Sequence, residues 1–221
     1  MPKWIITPDK FLSEEEVKRL RKACEEASII AKSKGNQIAV RNRLIIEVAL
    51  GTGLRVSELA NLKVEDIHFR KGYNSLTVWN GKGSQDRVVA FNSSLKSLIQ
   101  EYLDYRYSKS HYLFYSERGE QMTRFGISKV FKKMALEAGL SSHHSIHTLR
   151  HTYATNLYKA SGYNLRMVQK QLGHSNITTT TVYSDVLSKD LEEAVESLKL
   201  IGFCRVTNNY IPAPCCGVLL I

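Results

Sequence analysis

Two short stretches of the sequence place histidines, an arginine and a tyrosine where they could act together on an anion. In HTLRHTYATNL, residues 147–157, His147, Arg150 and His151 lie close together, and in LGHSNITTTTVY, residues 172–183, His174 follows a glycine and Tyr183 follows a threonine run. Arginine binds phosphate oxygens bidentately, and a tyrosine hydroxyl can act as a nucleophile. Hydrophobic packing does not require such a set, so these residue types point to phosphate chemistry.

Two further candidates lie earlier in the chain. In GTGLRVSELANL, residues 51–62, Arg55 follows a glycine-rich turn, and Glu58 lies three residues further on, on the same face of a predicted short helix. Glu58 can hold Arg55 while the guanidinium points at a ligand, but an Arg-x-x-Glu pair is more commonly an ordinary salt bridge, worth under ~1 kcal/mol. In NGKGSQDRVV, residues 80–89, Lys82 lies in a predicted tight turn, where a lysine is usually only solvated.

The histidines near residue 147 also have other interpretations. His147 and His151 are one helical turn apart, a spacing at which two histidines can share a metal ion. Position 148 is a threonine rather than the glutamate of a zinc protease, and no cysteine lies nearby. A metal site is therefore disfavoured, and structural histidines at a helix end are the plainer alternative.

In combination, these residues describe the cleavage of a phosphodiester. Two arginines can bind the non-bridging oxygens, a lysine can protonate the leaving alkoxide, histidines can move protons, and a tyrosine can attack phosphorus. The ordered set is an arginine in GTGLRVSEL, a lysine in a β-turn, His-x-x-Arg-His, Leu-Gly-His and then a tyrosine. This set resembles the catalytic domain of the tyrosine recombinases, the phage-integrase family, and the resemblance runs from Phe11 to Ile201.

The resemblance assigns a role to each matching position. It implies that Arg55 and Arg150 clamp the phosphate, and that Lys82 protonates the departing 5′ oxygen. The resemblance further implies that His147 accepts the phenol proton, and that His151 and Glu58 are structural support. The complete set of expected catalytic residues is Arg55, Lys82, His147, Arg150, His174 and Tyr183.

The choice of nucleophile among eleven tyrosines follows from spacing. Tyr183 alone lies at the distance after Leu-Gly-His that the resemblance requires. Tyr153 and Tyr158 are close to His147, but they share an apolar helical stripe, which predicts core packing. The implied product is a 3′-phosphotyrosyl ester that conserves the energy of the broken bond, so no nucleotide cofactor is expected. No metal ion is expected either, because the sequence shows no carboxylate cluster suited to Mg²⁺ and the arginines can stabilise the charge.

The elements that must position these residues are mainly helical. FLSEEEVKRLRKACEEASIIAKSKG predicts an amphipathic helix, with Ser13 and Glu16 forming a capping box. SLTVW and RVVAF, joined by NGKG, predict a β-hairpin. We therefore expect a mainly α fold with a small antiparallel β-sheet, an α+β fold like the domain that the chain resembles. Further helices are predicted at 40–49, 93–106, 124–138, 146–159, 164–172 and 188–201.

Composition favours an anionic partner. The 221 residues include 31 Lys and Arg against 21 Asp and Glu, a formal charge of +10 with a pI near 9.4. This charge suits double-stranded DNA, although a membrane surface or an acidic protein would also attract it. No stretch approaches the roughly 20 apolar residues of a membrane span, the first residues lack a signal-peptide core, and the four cysteines show no C-x-x-C spacing. We expect a cytoplasmic protein with no membrane partner.

The resemblance also predicts domain organisation and assembly. Residues 1–201 are expected to form the catalytic domain, without the N-terminal helical domain of similar proteins, and 202–221 to form a flexible or artefactual tail. The predicted helix at 188–201 carries an apolar stripe that is expected to dock on a neighbouring subunit, giving a monomer in solution and a tetramer on DNA. The alternative is that this helix folds back on its own domain.

Two other functions remain open at this stage. A type IB topoisomerase uses the same chemistry but rejoins the same duplex, which gives relaxation rather than recombination. A catalytically silent DNA-binding module would keep the fold and the basic charge without cleaving DNA.

Overall fold

The computed structural model describes residues 10–70, 73–79, 86–107 and 110–173. Within these ranges the chain is mostly helical with a small antiparallel sheet, which confirms the predicted fold class. The predicted helix at 188–201 and the tail at 202–221 lie outside the described residues. In chain order the elements are α1 (Glu14–Ser33), α2 (Gln37–Thr52), α3 (Val56–Asn61), a 3₁₀ turn (Val64–Asp66), β1 (Ile67–Arg70), β2 (Tyr73–Val78), β3 (Arg87–Phe91), α4 (Ser93–Tyr105), α5 (Arg124–Glu137), α6 (Ile146–Ala160) and α7 (Leu165–Leu172).

Helix α1 begins where the capping box predicted. The Ser13 hydroxyl accepts a hydrogen bond from the Glu16 amide, and the Glu16 carboxylate accepts one from the Ser13 amide, so two otherwise unpaired amides are satisfied. The same carboxylate lies 3.4 Å from Nε2 of buried His144. The Leu12 amide also donates to the Thr152 hydroxyl at 2.9 Å. These contacts join the start of α1 to Thr152 in α6 and to His144, two residues before α6 begins.

Helix α2 lies in the centre of the core and ends sharply at Gly53. It packs against α1, α4 and α6, and it is buried around most of its circumference, including the polar side chains of Arg41, Asn42 and Glu47. Gly53 has a φ of +64°, in the left-handed region that favours glycine. A Cβ there would lie 2.4 Å from the Tyr153 ring and 2.8 Å from the Leu172 side chain. Gly53 therefore provides both the turn and the close packing that precede Arg55.

The sheet contains one strand more than the sequence predicted. β2 and β3 pair antiparallel as the expected hairpin, and β1 adds an edge strand in the order β1-β2-β3. Ile67, Leu76 and Val89 are aligned across the three strands and are buried. β1 has only four residues, so its pairing with β2 rather than its own propensity makes it a strand.

Helix α7 connects the sheet to α6 through one glutamine. The Gln171 side chain donates to the Ala90 carbonyl at 2.6 Å and to the Tyr153 hydroxyl at 2.9 Å, and it accepts from the Ala90 amide at 3.3 Å. The helix ends at Gly173, whose φ of +67° is again left-handed. The chain therefore leaves α7 at a fixed point, one residue before His174. No helix in the described ranges has the length and apolar character to cross a membrane.

Candidate active site

Arg55 lies at the N-terminal end of α3 and is bound to Glu58, as the sequence predicted. The Arg55 amide donates to Oε2 of Glu58 at 2.7 Å, and its Nη1 donates to Oε1 at 2.9 Å. The Arg55 side chain remains 40% exposed, whereas that of Glu58 is 8% exposed. The carboxylate is thus buried behind an arginine that is still open to solvent.

Arg87 is a second partner of Glu58 that sequence reasoning missed. It is the first residue of β3, and its Nη1 and Nη2 donate to the two carboxylate oxygens of Glu58 at 2.9 and 2.8 Å. Its side chain is only 8% exposed. In the sequence Arg87 shows only as a basic residue at the start of a strand, and no local pattern links it to Glu58, 29 residues earlier.

The two arginines keep the Glu58 carboxylate ionised. Burial acts to raise the pKa of Glu58, but the hydrogen bonds and charge of Arg87, followed by the hydrogen bonds from the amide and side chain of Arg55, outweigh it and lower the pKa to about 2. A buried, fully charged carboxylate between two guanidinium groups leaves the cluster with one net positive charge. This charge lies at the side where Arg55 is exposed.

Arg150 projects from α6 and is fixed by backbone carbonyls from two other elements. Its Nη1 donates to the Gly53 carbonyl at 2.6 Å, and its Nη2 donates to the Leu172 carbonyl at 3.0 Å. The residue is 7% exposed. Because Gly53 is only two residues before Arg55, these bonds bring Arg150 and Arg55 to the same corner of the molecule. At this corner α2 and α7 end close to the first turns of α6.

The histidines of this region have three different environments. His147 is exposed on the first turn of α6, and His151, one turn later, is half-buried. Burial, and then the charges of Arg150, His147 and Lys10, lower the pKa of His151 to about 4, so this ring is neutral near pH 7. His144 is buried against Glu16. Among the described residues, no three of the His, Cys, Asp and Glu side chains are placed to hold a metal ion together.

The two tyrosines of α6 have structural contacts. Tyr158 is buried, as predicted. Tyr153 is only partly buried. Its hydroxyl contacts Gln171, and its ring packs against Gly53. Burial raises the pKa of the Tyr153 hydroxyl, against an opposing effect of the Gln171 hydrogen bond, which makes Tyr153 a poor nucleophile.

Three of the predicted catalytic residues, Lys82, His174 and Tyr183, lie outside the described residues. The elements that lead to two of them are described. Lys82 lies between Trp79 and Asp86 in the sequence, and the indole of Trp79 donates to Asp66 at 2.7 Å. His174 directly follows Gly173 at the end of α7. The structure therefore brings Arg55, Arg150 and the chain preceding His174 into one region.

Comparison with known proteins agrees with this geometry. The model of the phage integrase family matches residues 10–189. The chain is 40% identical over 203 residues to the tyrosine recombinase XerA of Pyrococcus furiosus, covering 90% of this chain and 65% of that protein. It is 35% identical over 197 residues to the tyrosine recombinase XerD of Oceanobacillus iheyensis, covering 86% of this chain and 62% of that protein. The chain thus spans less than two thirds of the length of these relatives.

Solved structures show the same fold. A crystal structure of XerA recombinase superposes with a TM-score of 0.70 at 30% identity, covering 90% of this chain and 68% of that one. A post-cleavage complex of the XerH site-specific recombinase with its palindromic difH substrate gives a TM-score of 0.71 at 29% identity, covering 85% of this chain and 52% of that one. On the extent of the family match and of these similarities, the chain belongs to the phage integrase family.

Proposed function

We propose that this chain is a site-specific DNA recombinase that cleaves and rejoins double-stranded DNA through a 3′-phosphotyrosyl intermediate. The observation that carries the proposal is the corner shared by Arg55 and Arg150, in which Arg150 is held by two carbonyls and Arg55 by a buried carboxylate. The proposal is also supported by relatives named as tyrosine recombinases and by the DNA complex of XerH.

In the proposed site the arginines bind the scissile phosphate. Negative charge develops on the non-bridging oxygens during in-line attack, and each fixed donor of this kind contributes roughly 3 kcal/mol of transition-state stabilisation. Their placement by backbone and carboxylate groups means that little reorganisation is needed when the substrate arrives. This electrostatic role does not require a nucleotide cofactor.

The remaining residues of the proposed site handle protons and bonds. A free tyrosine has a pKa of about 10, so near pH 7 ionising the phenol costs about 4 kcal/mol. The Tyr183 oxygen forms a bond to phosphorus as its proton passes to His147, directly or through water. The bond to the 5′ oxygen breaks, and Lys82 supplies the proton to that leaving group. His174 completes the predicted set.

Covalent trapping on a nicked suicide duplex tests the proposal. The wild-type chain should form a protein–DNA adduct that survives denaturation, because the short strand beyond the nick diffuses away and religation is blocked. Tyr183→Phe removes only the attacking oxygen, so it should bind DNA like the wild type and give no adduct. Wild-type protein that binds DNA without any adduct would instead indicate a silent binding module.

Relaxation of DNA by the same chemistry is the weaker candidate, since the similar proteins are recombinases. The site residues specify only cleavage and rejoining, and the choice between recombination and relaxation depends on which 5′ hydroxyl attacks the phosphotyrosyl bond. Recombination requires paired active sites, so we further propose that the protein, a monomer in solution, assembles as a homotetramer on DNA. We also propose that it works in the cytoplasm.

A further inference from the structure

Arg87 is bonded to the carboxylate that supports Arg55 and to the backbone next to the carbonyl that supports Arg150. Its two terminal nitrogens occupy both oxygens of Glu58, the carboxylate that also binds Arg55. Its Nε donates to the Gln171 carbonyl at 3.3 Å. That carbonyl is adjacent in sequence to the Leu172 carbonyl, which accepts from Arg150. One buried side chain on β3 therefore binds the carboxylate that supports Arg55 and the peptide carbonyl just before the one that supports Arg150.

The charge arrangement gives Arg87 a specific effect on Arg55. A carboxylate that is 8% exposed needs a cationic partner, because an unpaired buried charge is strongly destabilising. With Arg87 present, Glu58 is already neutralised through a bidentate pair, the strongest geometry for an arginine and a carboxylate. Arg55 then needs to contribute only Nη1 and its amide, and its side chain stays 40% exposed towards a ligand.

Packing at the end of α7 shows that Arg87 also fixes this part of the backbone. A Cβ placed on Gly173 would lie 2.6 Å from Cδ of Arg87, so the arginine stem packs directly on the left-handed glycine that ends the helix. A shorter side chain would leave a gap beneath Gly173, and a side chain without a donor would free the Gln171 carbonyl. The segment leading to His174 begins at this point.

We propose that Arg87 is a positioning residue for strand cleavage, which holds Glu58 and the end of α7 so that Arg55 and Arg150 keep the geometry that the scissile phosphate requires. This inference rests on the proposed function. Arg87 does not touch the phosphate in this scheme, and it acts only through the groups that it holds.

The test compares two scissile linkages in single-turnover cleavage of the suicide duplex. In one substrate the scissile phosphate is natural, and in the other a methyl group replaces a non-bridging oxygen, which removes the negative charge that the arginines neutralise. Replacing a residue that acts through Arg55 and Arg150 should slow cleavage of the neutral linkage less than cleavage of the natural one. A general loss of stability should slow both cleavages equally. The variants are Arg87→Met, Arg87→Lys, and Arg55→Ala as the direct clamp control.

Arg41→Met is the matched control for loss of a buried arginine. Arg41 is 6% exposed and donates to the Tyr115 carbonyl and the Asn42 side chain, not to any residue of the proposed site. Arg87→Met should slow cleavage of the natural linkage about tenfold or more, because Arg55 and Arg150 would no longer be held in the geometry that the reaction needs. It should slow cleavage of the neutral linkage less than about threefold. Arg41→Met should change both rates by one common factor, and the Arg87 and Arg41 variants should bind DNA with similar affinity.

Equal slowing of both linkages by Arg87→Met, or no slowing at all, would overturn the inference. If Arg87→Met fails to fold, Arg87→Lys decides the question. It keeps the charge but loses the fork, so it should show the same preference for the neutral linkage with a smaller loss. A wild-type chain that forms no adduct would refute the proposed function itself, and this inference with it. A wild-type adduct with an Arg87 variant that behaves like Arg41→Met refutes the inference alone.

Discussion

Arg150 has a structural role in addition to the chemistry proposed for it. Two of its donors bind the carbonyls of Gly53 and Leu172, and the side chain is buried, whereas Arg55 is partly exposed and leaves Glu58 paired with Arg87 when it is removed. The two arginines have the same role in the proposed reaction, but only Arg150 should contribute strongly to the stability of the fold.

We predict that Arg150→Ala and Arg55→Ala each slow cleavage about a hundredfold, as for the loss of an oxyanion donor. Arg150→Ala should also lower the melting temperature clearly, because two buried carbonyls lose their partner. Arg55→Ala should change the melting temperature little. Adduct formation and thermal unfolding measure the two effects. A loss of cleavage under about threefold for either variant would contradict the clamp assignment.

His151 makes stability depend on pH. Its pKa is about 4 in the folded protein, below the ordinary value of 6.5, so the unfolded chain takes up a proton first as the pH falls. The contribution of the neutral ring is complete above pH 6.5 and is lost as the pH falls from 6.5 towards 4, by up to about 1.4 kcal/mol per pH unit.

His151→Gln should therefore flatten the pH dependence of the free energy of unfolding in this window. Urea unfolding at several pH values measures it, and the difference from wild type cancels the groups that titrate in both proteins. His143→Gln, at an exposed position, is the matched control for replacing a histidine. A His151→Gln profile parallel to that of wild type would show that His151 is not held neutral.

At the scale of the elements, the end of α2 determines where Arg55 and Arg150 meet. Gly53 allows the left-handed turn, leaves room for Tyr153 and Leu172, and offers its carbonyl to Arg150. Gly35, between α1 and α2, has nearly the same φ of +66°, but a Cβ there would meet nothing within 4 Å. Alanine substitutions at Gly35 and Gly53 therefore separate the cost of backbone strain from the cost of close packing.

Gly35→Ala should cost about 1 to 2 kcal/mol of stability, the penalty for a Cβ in the left-handed region. Gly53→Ala should cost more than about 3 kcal/mol, since overpacking adds to that strain. Denaturant unfolding of both variants gives the comparison. Equal losses would mean that Tyr153 and Leu172 can move aside without cost.

At the scale of the whole molecule, the formal charge of +10 predicts DNA binding that depends steeply on salt. Affinity for duplex DNA should fall more than about tenfold between 50 and 200 mM salt, since each phosphate contact contributes a slope of about −0.9. Arg55→Ala should make the slope shallower by about one contact, while Tyr183→Phe should leave it unchanged. Titration by fluorescence anisotropy at several salt concentrations measures this, and a flat salt dependence would argue against phosphate contacts as the main source of affinity.

The assembly proposal gives a second prediction at this scale. If the predicted helix at 188–201 docks on a neighbouring subunit, removing residues 187–221 should leave the melting temperature of the monomer unchanged and abolish higher-order complexes on DNA. Thermal unfolding and sedimentation with DNA measure the two properties. A truncated monomer that unfolds at a clearly lower temperature would place the helix in its own core.

The features that the sequence by itself determined are those specified over a few neighbouring residues. Ser13 and Glu16 are close enough in sequence to define the start of α1, a glycine in the left-handed region defines the end of α2, and NGKG between two β-rich runs predicted the pairing of β2 and β3. The Arg55–Glu58 pair belongs to the same class, since its members are three residues apart. The order of the candidate catalytic residues was also readable, through resemblance to a family.

Tertiary structure alone decided the contacts between distant residues. Strand β1 forms because β2 is available to pair with it, Arg87 reaches Glu58 from another element, and Arg150 binds a carbonyl 97 residues away in the sequence. Every residue has a backbone carbonyl that can accept a hydrogen bond, so the residue type at the acceptor position does not predict such a bond. A buried carboxylate likewise takes whichever cation the fold brings within reach. For these reasons the sequence indicated the candidate residues of the site, and only the packed structure showed what holds Arg55 and Arg150 in place.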